Sequence, residues 1–121
     1  MPETFCRTDR YGNKYWENKE GQCHRTDGPA VEYVDGMKHW YQNDEPHRTD
    51  GPAIEYANGS KDWYQNGVLH RTDGPAVERV NGKKEFHVRG IPCTTFKEFF
   101  DAIPKENREA SLLLINEFKN V

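Results

Sequence analysis

The chain has 121 residues, of which 34% are hydrophobic and 31% charged, with a mean hydropathy of −1.07 and a formal net charge of −3. That length holds one core rather than two, and no stretch approaches the roughly 18 apolar residues of a membrane span. The slight acidic excess, 20 Asp+Glu against 17 Lys+Arg, argues against a nucleic-acid binder, because phosphate affinity is built mainly from excess positive charge.

So polar a composition tilts toward disorder, but three Trp, six Tyr and six Phe fall at recurring positions, and regular apolar side chains favour a folded state. The start, MPETFCRTDR, has no apolar core of the kind a signal peptide carries. Three cysteines, an odd number in no metal-ligand spacing, fit a reducing compartment. The expectation is a cytoplasmic protein.

Residues 1–23 read as a degenerate first repeat, with Cys6-Arg7-Thr8-Asp9 standing where the later repeats have His-Arg-Thr-Asp and Gly12 to Trp16 matching Gly36 to Trp40. The seven residues His-Arg-Thr-Asp-Gly-Pro-Ala then occur unchanged at 24–30, 47–53 and 70–76, a period of 23. A fixed period of this length marks stacked units that bury their apolar faces against neighbours. The whole chain is therefore expected to be one domain, with full repeats at 24–46, 47–69 and 70–92 and a cap at 93–121.

Within a repeat, Pro29 to Val34 is a short β-branched and aromatic run ending at Asp35-Gly36. The equivalents Asn58-Gly59 and Asn81-Gly82 make the same signal, which predicts a type I′ hairpin turn. Met37–Gln42, Ser60–Gln65 and Lys83–Val88 are the expected return strands. A second turn follows at Asn43-Asp44, Asn66-Gly67 and Arg89-Gly90. In the heptad, Asp27, Asp50 and Asp73 before Gly-Pro suit an Asx turn with glycine at positive φ and proline opening the next strand. The fold class is thus mainly β, an antiparallel meander of hairpins in a single-layer sheet.

After Pro92 the pattern changes. Thr95 and Glu98 have the spacing of a capping box, and Phe96, Phe99, Phe100 and Ile103 then recur on one helical face. Pro104 breaks that helix and can open a second, in which Ser111, Leu114, Ile115 and Phe118, widened by Leu112 and Leu113, form another apolar stripe. Two short helices are expected to cap the sheet or, where the stripe is exposed, to join two copies.

Trp63-Tyr64-Gln65-Asn66-Gly67-Val68-Leu69-His70, followed by Val77 to Gly82, resembles the MORN (membrane occupation and recognition nexus) repeat. The resemblance covers residues 5–92, and it implies a scaffold or partner-binding surface more than catalysis. The tandem heptads also look like those of small bacteriophage and viral proteins. That likeness carries no defined activity; were the chain viral, inhibition of a host or defence protein by occlusion in the host cytoplasm would suit so small an interaction module.

The His-Arg-Thr-Asp rows could be cast as base and nucleophile, but a catalytic set is needed once, whereas three identical copies read as architecture. In that reading Arg25, Arg48 and Arg71 pair with an Asp of the same or adjacent rung, and no enzyme activity is expected. Cys6, His24, His47, His70 and Cys93 share a register, yet rungs about 10 Å apart cannot converge on one metal ion, so neither metal nor cofactor is expected. Trp16, Trp40, Trp63 and Phe86 are expected to pack with Val31, Ile54 and Val77. The candidate binding residues are Arg25, Arg48, Arg71, Tyr33, Tyr56, Tyr41, Tyr64, His39 and Asp62, either for a protein partner or, alternatively, for a small ligand or nucleotide held by the Arg and Tyr rows.

Overall fold

A computed structural model describes residues 4–120, a mainly β fold with helices at its C-terminal end. In chain order the strands are β1 (Phe5–Thr8), β2 (Lys14–Glu17), β3 (Val31–Glu32), β4 (Lys38–His39), β5 (Tyr41–Gln42), β6 (Glu45–Pro46) and β7 (Ile54–Glu55). They continue as β8 (Lys61–Asp62), β9 (Tyr64–Gln65), β10 (Val68–Leu69), β11 (Val77–Glu78), β12 (Lys84–Val88) and β13 (Ile91–Cys93). Nine make one open antiparallel sheet, ordered β1-β2-β3-β4-β7-β8-β11-β12-β13, while β5–β6 and β9–β10 are separate two-stranded arms.

Two rows of side chains cross the large sheet. Arg7, Tyr15, Val31, His39, Ile54, Asp62, Val77 and Glu85 are successive cross-strand partners. Their chain neighbours Thr8, Lys14, Glu32, Lys38, Glu55, Lys61, Glu78 and Lys84 pair in the same way. Adjacent residues on a strand point to opposite sides, so one face carries an alternating Lys/Glu ladder, and such opposite-charge pairs contribute about 0.2–1 kcal/mol each. The other face mixes aliphatic, aromatic and acidic side chains. This register corrects the packing expected for the tryptophans. Val31, Ile54 and Val77 lie beside Tyr15, His39, Asp62 and Glu85, whereas Trp40 and Trp63, one residue further on, fall on the charged face.

The turns also differ from expectation. At Asp35-Gly36, Asn58-Gly59 and Asn81-Gly82 only the glycines are left-handed, with φ 99°, 96° and 92°. Gly36 N donates to the Tyr33 carbonyl and Tyr33 N to the Met37 carbonyl, which makes a three-residue loop closed by a left-handed glycine rather than a type I′ turn. Two successive positive φ values occur instead at the second turn: 51° and 66° at Asn43-Asp44, 51° and 82° at Asn66-Gly67, 52° and 81° at Arg89-Gly90.

The return strands over Met37–Gln42 and Ser60–Gln65 are each divided at tryptophan. Trp40 N donates across the main sheet to the Ala53 carbonyl (2.7 Å), while its own carbonyl accepts from His47 N (3.0 Å) in the arm. Hydrogen bonding therefore changes partner at that residue, and the chain leaves the sheet to form β5. β12 runs through undivided, paired with β11 at its start and β13 at its end.

The N-terminal segment corresponds to a different part of the repeat than expected. Asp9 N donates to the Asn13 carbonyl and Gly12 N to the Asp9 carbonyl, the same pair of bonds that Tyr33 makes. Cys6-Arg7-Thr8 therefore stands with Ala30-Val31-Glu32, not with His24-Arg25-Thr26, and Arg7 occupies on the outermost strand the position of Val31, Ile54 and Val77.

At the other end are α1 (Phe96–Ala102), α2 (Lys105–Ser111) and a 3₁₀ helix (Leu112–Asn120). Thr95 accepts from Glu98 N and the Glu98 carboxylate accepts from Thr95 N, the reciprocal cap the sequence predicts. Phe86, Val88, Cys93, Phe99 and Ile103 form the apolar core between β12–β13 and α1, and Phe118 stacks on Phe86 with centroids 3.9 Å apart. The 3₁₀ helix has three residues per turn, which lines up Ser111, Leu114 and Glu117 toward the sheet. Ser111 is buried, Leu114 packs on the core, and Glu117 accepts from Lys84 Nζ at 2.7 Å. Of the predicted apolar stripe, Leu112, Leu113 and Ile115 are 50%, 86% and 45% exposed. Among the described residues no helix is long and apolar enough to cross a membrane.

Candidate functional site

Each heptad arginine is enclosed by acceptors of its own repeat and by the tryptophan of the preceding one. Arg48 Nε donates to Asp50 (2.9 Å), and Nη1 donates to the Pro52 carbonyl (3.1 Å) and to Glu55 (3.3 Å). Its guanidinium carbon lies 3.9 Å from the centroid of the Trp40 ring. Arg25 over Trp16 (4.0 Å) and Arg71 over Trp63 (3.7 Å) repeat the arrangement, each paired with the Asp two residues on. The carboxylates of Asp27, Asp50 and Asp73 thus accept from arginine rather than capping a backbone turn. Gly28, Gly51 and Gly74, expected at positive φ, are not left-handed. Glycine leaves room there for the stacked guanidinium, which a Cβ would approach to 2.9, 2.6 and 2.6 Å at Cζ and displace.

The heptad histidines act on the neighbouring arm. Nδ1 of His24, His47 and His70 accepts from the backbone N of Asn43, Asn66 and Arg89 at 3.1, 3.0 and 2.9 Å. This bond holds the left-handed residue that opens each second turn, and it requires a bare Nδ1, hence an uncharged ring protonated at Nε2. Burial, aided by the Arg89 charge, pushes His70 below its ordinary value. Between the first two heptads lies a groove of about 460 Å³, lined by Arg25, Thr26, Asp27, Gly28, Trp40, Gln42, His47, Arg48, Thr49 and Asp50. Among the described residues no three His, Cys, Asp or Glu side chains gather in a way that could hold a metal ion.

The remaining candidates lie on the opposite face. Tyr15 and Tyr33 meet edge to face at 6.4 Å between centroids, Tyr33 meets His39 at 5.4 Å, and His39 meets Tyr41 at 5.5 Å. Further along, Tyr56 Oη donates to Asp62 (2.7 Å), and Arg79 Nη1 donates to the other oxygen of that carboxylate (2.9 Å). Asp62 is buried, and the two donors give each of its oxygens a partner. Burial and the Asp62 bond push Tyr56 up to about 12. Burial also raises Tyr41 and Tyr64 and lowers His39. His39 Nδ1 is 3.2 Å from the Tyr41 hydroxyl, while its Nε2 is buried with no partner among the described residues.

The structure thus splits the nine sequence candidates into two groups. Tyr33 and Tyr41 each meet His39, Tyr56 meets Asp62, and the half-buried Tyr64 joins neither contact, whereas Arg25, Arg48 and Arg71 are bound to tryptophans on the charged face. Tyr15, which was not among the candidates, and Arg79 complete the aromatic face. The match of Gly12 to Trp16 with Gly36 to Trp40 contained the signal for Tyr15, since it sets Tyr15 on His39. The C-terminal helices meet Lys84 and Phe86, which alternate with Glu85 on β12, so they cover the charged side and leave the aromatic face open.

Against protein-family models, curated proteins and solved structures, the chain matches none.

Proposed function

We propose that the chain is a non-enzymatic module that binds one protein partner through its aromatic face, built as a MORN-like array of hairpin units. The observation that carries this reading is the contact chain Tyr15–Tyr33–His39–Tyr41, continued by Tyr56–Asp62–Arg79, on the face that no helix covers. Half-exposed tyrosines beside well-paired charges are the composition of interface anchors. The array is supported by bonds that recur at the repeat spacing: Arg25 N to Tyr41 O, Arg48 N to Tyr64 O and Arg71 N to His87 O. Three free cysteines fit a cytoplasmic setting. The likeness of the heptads to those of small viral proteins supports a host or defence protein as the partner.

The test is affinity capture by the purified chain, with binding then measured between two purified components. Tyr33→Ala with Tyr41→Ala should weaken that binding by roughly thirtyfold or more, the scale of hot-spot truncation, while the fold persists. Recovery of nucleic acid alone, or of nothing, would count against the reading.

The groove between the first two heptads favours a second reading, a small polar ligand or nucleotide held beside Trp40 by Arg25 and Arg48. Thermal-shift measurements discriminate, since a ligand at about 100 times its Kd stabilises by about 2.7 kcal/mol. Against it, both arginines already donate to two or more acceptors of the chain.

A further inference from the structure

The turn Arg89-Gly90 has a conformation to which its first side chain is ill suited. Arg89 has φ 52°, matching Asn43 and Asn66 at 51° in the two preceding turns. Its N–H donates to His70 just as those of Asn43 and Asn66 donate to His24 and His47. Asparagine tolerates left-handed backbone because its short side chain bonds locally, and a long side chain gains no such relief. Nor is the arginine compensated within the chain. Arg25, Arg48, Arg71 and Arg79 each sit in an ion pair, whereas the Arg89 guanidinium has none among the described residues.

Arg89 lines a notch of about 270 Å³ with Gln65, Asn66, Val68 and His70. The repeat register identifies what this notch lacks. Residue 68 is the counterpart of Glu45, one period earlier. Glu45 lies against Gly67 of the next arm, its carboxylate 3.5 Å from where a Cβ would be, and Val68 lies against Gly90 in the same way at 3.3 Å. The place from which a glutamate would reach Arg89 is therefore held by a valine that is 43% exposed, with Ile91 beside it 66% exposed.

We propose that this notch takes a carboxylate side chain of an acidic partner, which fills the place Glu45 holds in the preceding arm and bonds the Arg89 guanidinium. A single planar guanidinium matches the two oxygens of a carboxylate. His70, kept uncharged by its bond to Arg89 N, adds no second cation of the kind that phosphate sites gather. Only the step that places the carboxylate on a polypeptide rests on the protein-binding reading, since the notch lies between the β9–β10 arm and the β12–β13 turn and involves none of the aromatic face.

The test uses the full chain, isotope-labelled, titrated with an oligoglutamate peptide and separately with inorganic phosphate while the amide resonances are followed. The peptide should give saturable shifts at Asn66, Val68 and Gly90. Arg89→Asn should weaken that response by roughly tenfold or more, and so should Val68→Glu, which supplies the carboxylate from within. Arg89→Asn should also melt about 2–5 °C higher, because a strained residue has been relieved. The proposal is overturned by the absence of peptide shifts, by shifts that survive Arg89→Asn, by tighter binding of phosphate, or by an Arg89→Asn chain that melts no higher than wild type. Tyr33→Ala should keep the peptide response, so failure of the aromatic-face reading is distinguishable from failure of this one.

Discussion

Gly51 leaves open the space beside Arg48 that a side chain would occupy: a Cβ on Gly51 would come within 2.6 Å of the Arg48 guanidinium carbon, which itself lies 3.9 Å from the centre of the Trp40 ring. The tight heptad turn thus serves to press a planar cation onto an indole, and the glycine is a consequence of that stack.

Gly51→Ala should consequently destabilise by about 1–3 kcal/mol, the cost of forcing an extra methyl into a packed site. In an Arg48→Ala background the same change should be neutral or slightly stabilising, since the obstruction is gone and alanine restricts the unfolded chain. A double-mutant cycle by urea denaturation measures the coupling. Additive losses would mean that the glycine is there for backbone reasons.

Stability should fall on mild acidification. His70 and His39 both lie below the ordinary histidine value of 6.5 in the folded chain, so the unfolded state takes up protons first. Their contribution is complete above that unfolded value and is lost as pH falls through it toward the folded values. The urea midpoint should drop from about pH 7 to about pH 5, and His70→Gln should make the drop shallower. A midpoint independent of pH over that interval would contradict the neutral Nδ1 acceptor.

The outermost strand β1 carries Arg7 where the inner strands carry Val31, Ile54 and Val77. Arg7 bonds Glu17 at 2.6 Å and lies 4.3 Å from the centre of the Tyr15 ring, and a charge on an edge strand discourages further pairing. Arg7→Val should therefore promote self-association, read as a concentration-dependent rise in mass by sedimentation. A variant that stays at the wild-type mass at high concentration would refute the protective role.

Phe118→Ala should cost about 2–3 kcal/mol, somewhat below the range for a fully buried phenylalanine, because Phe118 is only partly buried while stacking on Phe86. Hydrogen exchange should speed up over Leu112–Glu117 and leave β3, β4, β7 and β8 protected. Equal acceleration in those strands would show that the helices stabilise the whole sheet at once.

How much of this was legible in the sequence depended on how local each interaction is. The Thr95–Glu98 cap involves two side chains one turn apart, and its signature was complete in the sequence. Alternation along a strand likewise brought Tyr33, His39 and Tyr41 to one surface, all three named as candidates from the sequence. The bond from Asn43 N to His24 had no such trace, because a backbone donor is the same in every residue. The pairing of Arg48 with an Asp of its own rung was expected from the heptad, whereas its stack on Trp40 and its bond to Glu55 were not, because the sequence shows its charge and not what encloses it. The left-handed pairs went to the wrong turn for a related reason: Asp-Gly and Asn-Gly serve both loop lengths, and only the bond from Gly36 N to Tyr33 O separates them.

The densest apolar packing, from Phe86 to Phe118, gathers in the last third of the chain, while the sheet before it is held by small residues such as Ala30, Ala53 and Ala76. During synthesis the repeats are therefore made before the residues that supply that packing, so the small-residue sheet must hold its register for a time without it.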